Sequence, residues 1–124
     1  MVENKILNIA NKVYSKIRIY YGLGKNNYPP IEVHKNLIVR LTGEEGGQEE
    51  PADAEYDRKE NKLFIYSDYN NSIEDVIRSI IHEYVHYLQS PSWMRRYYKM
   101  GYDYTNHPYE LKASKEEENW KIFA

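Results

Sequence analysis

The chain has 124 residues, no cysteine and a formal net charge of −2 at pH 7. That length suits one domain with one real core, and the lack of cysteine excludes disulfides, thiolate metal ligands and a thiol nucleophile. The small net charge carries no electrostatic footprint for nucleic acid or an anionic membrane.

No run approaches the ~20 apolar residues of a membrane span. Charged residues interrupt the first segment, where a signal peptide needs an apolar stretch. The expectation is a soluble, cytoplasmic protein that binds neither nucleic acid nor membrane. Fourteen tyrosines, each an apolar body with a polar tip, suit partly wet surfaces and clefts.

Glu3 to Tyr21 reads as an amphipathic helix, with Ile6, Ile9, Ala10, Val13 and Ile17 at three- and four-residue steps. Gly22 and Gly24 stop it, and Asn26 to Pro30 make a loop. The stretch IEVHKNLIVRLTG (31–43) is rich in β-branched residues. It predicts two short strands, or one strand bent near Lys35 and Asn36. EEGGQEEPADAE (44–55) has turn formers and acid without apolar period, and reads as an exposed loop.

Residues 54–67 read as a hairpin with its turn near Lys59 to Asn61 and Leu63 to Ser67 as the second strand. Ser72, with Asp75 in the capping-box position, opens a helix that should run to about Gln89, before Pro91. SWMRRYYKMG (92–101) suggests a short helical turn, and Pro108 suits the first turn of a last helix running toward Ala124. The order predicts one α+β domain over residues 1–124. It comprises an N-terminal helix, a short, mostly antiparallel sheet, a histidine-bearing helix and a C-terminal helix that carries a glutamate.

The histidine-bearing helix contains His82-Glu83-Tyr84-Val85-His86. On a helical wheel, Ile77, Ile80, Ile81, Tyr84, Val85 and Leu88 share one arc, and His82 and His86 fall away from it. Residues four apart are neighbours on a helix, so both imidazoles can reach one metal ion. Glu83 is rotated off the ligand direction, but its side chain is long enough to reach a water on that metal and take its proton. A catalytic zinc needs a third protein ligand. Asp103, His107 and Glu110 follow the helix as candidates, and Glu110 has the rigid start of the last helix to aim it. An H-x-x-G-x-x-H continuation is excluded, because Tyr87 to Ser92 contain neither that glycine nor that histidine.

The helix motif followed by Asn106-His107-Pro108-Tyr109-Glu110-Leu111-Lys112-Ala113 resembles the small gluzincin-type metallopeptidases. These include minigluzincin and phage-borne sequences. The resemblance covers residues 72–114 best. It implies a minimal zincin-like core, one catalytic zinc held by His82, His86 and Glu110, Glu83 as general base, and hydrolysis of a peptide or protein substrate. Two positions depart from the pattern. Lys112 replaces a second glutamate, and Ser114 stands where larger relatives carry an aspartate that orients a ligand histidine.

His107 is a turn or capping residue, a donor to the transition-state oxyanion, or a rival ligand. Tyr104 is a second candidate donor to that oxyanion. The strand near Leu63 to Tyr66 would offer its edge to an extended peptide. The alternative from another class is a metal-stabilised protein-binding module without catalysis. A third reading is a structural protein without metal.

Overall fold

The computed structural model describes residues 1–45 and 52–124. Half of the acidic stretch read as an exposed loop, residues 46–51, lies outside the described residues.

Helix α1 spans Glu3–Tyr21 and buries Ile6, Ala10, Val13, Tyr14 and Ile17. Gly22, at φ 84°, closes it by donating its N–H to the Arg18 carbonyl, a left-handed conformation that glycine adopts without steric cost. Strand β1 covers Ile31–His34.

The chain then departs from the expectation of further strand. Leu37–Thr42 coil into a short helix, α2. The Asn36 side chain caps it by accepting from the Val39 N–H at 2.9 Å, and Gly43 ends it at φ 74°. Two caps in the space of eight residues outweigh the modest strand preference of β-branched side chains.

Strands β2 (Ala54–Asp57) and β3 (Lys62–Tyr66) form the hairpin. Asn61 takes φ 53° in its turn, a conformation asparagine tolerates better than most residues. The sheet order is β1-β3-β2. β3 lies antiparallel to β2 and parallel to β1, with Ile31 opposite Leu63 and Tyr56 opposite Leu63 on the other side.

This corrects the reading of Leu63–Tyr66 as an edge. β3 is the central strand, and β2 is an edge. The unbroken apolar run Leu63-Phe64-Ile65-Tyr66 is buried throughout, as a strand covered on both faces requires. One face, with Leu63 and Ile65, joins the core made by α1 and α3. On the other, the Arg40 guanidinium of α2 stacks over the Phe64 ring at 4.0 Å and pairs with Glu55 at 2.7 Å.

Helix α3 spans Ile73–Leu88. The Ser72 hydroxyl caps it by accepting from the Asp75 N–H at 3.1 Å. It is followed by α4 (Pro91–Lys99) and α5 (Pro108–Glu116). The last helix does not run to Ala124. It tightens into a 3₁₀ turn over Glu117–Ile122, and the Phe123 ring is buried beyond it. Among the described residues, no helix is long and apolar enough to cross a membrane.

Candidate metal centre

Helix α3 has two working faces. Val76, Ile77, Ile80, Ile81, Tyr84 and Val85 are in the core. Ser79, His82, Glu83 and His86 line a cleft of about 1050 Å³, whose other walls include β2 and the first turns of α5. The amphipathic period that builds the core thus also sets the histidines facing open space.

The two imidazole rings lie 4.8 Å apart and 76° out of plane with one another. Their Nε2 atoms are 3.2 Å apart. Glu110 completes the group. Its Oε1 is 2.8 Å from His86 Nε2 and its Oε2 is 3.1 Å from His82 Nε2. Around a tetrahedral ion with bonds of about 2.0–2.1 Å, neighbouring ligand atoms sit roughly 3.3 Å apart. The three side chains already stand close to that spacing, and the group could hold a metal ion.

Glu110 arrives there because of how α5 begins. His107 is the N-cap, and its Nδ1 accepts from the Tyr109 N–H at 3.0 Å. Its Nε2 donates to the Met94 carbonyl at 3.0 Å. Pro108 then occupies the first turn, where its missing N–H costs nothing. A carboxylate in that first turn is favoured by the helix dipole. Ala113, fully buried, lets α5 pack closely on α3. Gln89 ties the two ends together. It accepts from His86 Nδ1 at 2.6 Å and donates to the Tyr109 carbonyl at 3.0 Å.

Strand β2 supplies the opposite wall. The Tyr56 N–H donates to Glu83 Oε1 at 3.1 Å, so the backbone of an edge strand holds the candidate base. Arg58, just past β2, donates to the His86 carbonyl at 2.9 Å.

Opposite charges face one another within this group. Burial works against a charged His82, but hydrogen bonds to Glu110 and Glu117 outweigh it and raise the imidazole to about 10. His86 shifts upward for the same reasons, with Glu110 as its main partner. Burial opposes ionisation of Glu110 too, yet hydrogen bonds from both imidazoles pull it down to about 2. Burial pushes Glu83 up to about 7, against the pull of the neighbouring imidazoles.

His82, Glu83, His86 and Glu110 therefore come together as the sequence suggested, and Tyr104 stands exposed on the cleft wall. His107 does not join them. It is fully buried, outside the cleft, with both ring nitrogens engaged in holding α5 and α4. A ligand or oxyanion donor needs a free nitrogen facing the site, so the capping role is the one this geometry allows. Asp103 is also committed. Its carboxylate accepts from the Thr105 N–H at 2.9 Å and the Thr105 hydroxyl at 2.6 Å, closing its own turn.

Sequence reasoning missed Glu117, whose Oε2 lies 2.8 Å from His82 Nδ1. A signal was present: Glu110, Ser114 and Glu117 recur at four- and three-residue steps, and all three line the cleft. No protein-family model, curated protein or solved structure matches this chain.

Proposed function

We propose that this chain is a zinc-dependent metallopeptidase, with His82, His86 and Glu110 as ligands and Glu83 as general base. One observation carries the reading: three ligand atoms converge in a cleft that also holds a separate carboxylate. Two imidazoles and one carboxylate are a donor set of catalytic zinc sites that keep an open position. A structural site is closed by a fourth protein ligand. Asp103 and His107, the candidates for that place, are engaged elsewhere.

When bound, zinc supplies Lewis acidity toward a carbonyl oxygen and lowers the pKa of water. Glu83 takes the proton from the attacking water and passes it to the leaving amine. The Tyr56 amide holds one Glu83 oxygen, which leaves the other for this proton transfer. An extended peptide would add to the outer edge of β2, backbone against backbone. Tyr104, on the same wall, would donate to the developing oxyanion.

Metal content and cleavage of an unbiased peptide library, measured on wild type beside Glu83→Gln, test the reading. Wild type is expected to carry zinc and cleave. The variant should keep the metal and lose about 10²–10⁴-fold in turnover. Metal without turnover in wild type leaves the protein-binding module instead. A wild type that takes up no metal sinks both.

A further inference from the structure

We infer that Glu117 is a positioning residue of the metal centre, fixing the ring and tautomer of His82 so that Nε2 presents its lone pair to the ion. The inference rests on the reading of His82, His86 and Glu110 as a metal site.

A histidine ligand must be neutral at the nitrogen that binds, so its proton has to reside on the other one. For His82 the other nitrogen is Nδ1, and Glu117 Oε2 stands 2.8 Å from it. An ionised carboxylate can only accept, so it selects the tautomer with the proton on Nδ1. It also stops the ring from rotating and makes Nε2 a better donor to a metal. His86 has a weaker counterpart. Its Nδ1 meets the neutral amide oxygen of Gln89 at 2.6 Å. The two imidazoles therefore have outer partners of different charge, and the charged one belongs to His82.

The backbone that carries Glu117 is well held. The preceding residue, Glu116, accepts from the Tyr21 hydroxyl at 3.0 Å and from Asn119 Nδ2 at 2.9 Å. Phe123, at the far end of the 3₁₀ turn, is buried and meets the Tyr20 ring edge-on at 5.4 Å. The change from α-helix to 3₁₀ turn falls at Glu117 itself. Ser114, one turn earlier on the same wall, has no charge to offer. The segment after α5 is thus part of the site, delivering by a rigid route the anion that Ser114 lacks.

Zinc affinity, measured by competition with a chromophoric chelator at fixed pH, tests this. Glu117→Ala is expected to weaken zinc binding about 10–100-fold, and Glu117→Gln, which keeps an acceptor, by less. Gln89→Ala should weaken it less than Glu117→Ala. In NMR of the zinc-loaded protein, the His82 Nδ1 proton should be downfield-shifted and slow to exchange in wild type, and should lose that shift and protection in Glu117→Ala. A structural ion pair alone would shift the melting temperature of the metal-free protein and leave affinity unchanged. If Glu117→Ala does not fold, Glu117→Gln decides the matter: a loss of zinc affinity and a weaker shift and protection of the His82 Nδ1 proton support the role, and wild-type values for both overturn it. Both variants binding zinc as wild type does, or a His82 Nδ1 proton that keeps its shift and protection in Glu117→Ala, overturns the role of Glu117. A wild type that binds no zinc overturns the metal centre on which it rests.

Discussion

Helices α4 and α5 make a natural pair. Each has nine residues, a capping side chain before it and proline in its first turn. Ser90 caps α4, and His107 caps α5. Yet α4 buries none of its residues, whereas α5 buries Ala113 against α3 and carries Glu110 to the histidines. Equivalent local chemistry starts both helices. The helix that packs a residue into the core is the one that brings its carboxylate to the histidines.

The sharpest way to break this contrast is Glu110→Ala. Zinc affinity should fall by more than the ~10–100-fold typical of an outer hydrogen-bond partner, because a direct ligand is lost. In metal-free protein the same change takes from both upward-shifted imidazoles the carboxylate they share, and leaves only His82 with another, Glu117. Isothermal calorimetry and metal analysis check it, and wild-type affinity in the variant would exclude Glu110 from the site. Next in size is Ala113→Leu, which forces extra volume between α5 and α3. It should cost about 1–3 kcal/mol of stability and weaken zinc binding without touching a ligand, as denaturant titration and chelator competition would report.

His107 links the two helices, capping one and donating to the other. His107→Ala should cost about 1–3 kcal/mol through the lost cap and the lost hydrogen bond to the Met94 carbonyl. His107→Asn, which can still cap, should cost less and leave zinc affinity near wild type. Loss of hydrolysis in a folded, zinc-loaded His107→Asn protein would mean that capping is not the whole of its role. The smallest effect belongs to α4. Arg95→Ala, on its exposed surface, should change stability by no more than about 0.5 kcal/mol and metal binding not at all.

The candidate ligands of α5 and α3 also set a pH signature. In metal-free protein the His82 value is raised above 6.5 to about 10, so its contribution to stability is full below 6.5 and is lost as pH climbs through about 10. The Glu110 value is lowered from 4.5 to about 2, so its contribution is full above 4.5 and is lost as pH falls through about 2. This pair therefore makes thermal melts least pH-sensitive between pH 4.5 and 6.5. Metal must displace the His82 proton, so zinc affinity should rise with pH through the neutral range.

How much of this was legible depends on how local each signal is. The α3 boundaries could be read because the cap, the apolar period and the following proline all lie within its own segment. His82, Glu83 and His86 came with it, since helical spacing alone sets them on one side. Glu110 emerged from the proline-opened helix and from the resemblance, which supplied the choice among three candidates. The place of β3 could not be read from the hairpin. Its other neighbour, β1, is some thirty residues earlier, with Ile31 opposite Leu63, and no local pattern encodes a parallel partner. In α2, two caps overrode side-chain preference. Glu117 carried a signal in its helical spacing from Glu110 that went unread, and the capping role of His107 was among its readings, whereas its burial is a tertiary property.

The amide of Tyr56 holds Glu83 across a separation of 27 residues. Along a strand, successive backbone N–H groups point to opposite edges. If β2 slid by one position against β3, the Tyr56 amide would turn inward toward the ladder and a different residue would take its place beside Glu83. The turn at Asn61, which sets the β2–β3 register, thus fixes which residue of β2 stands beside Glu83.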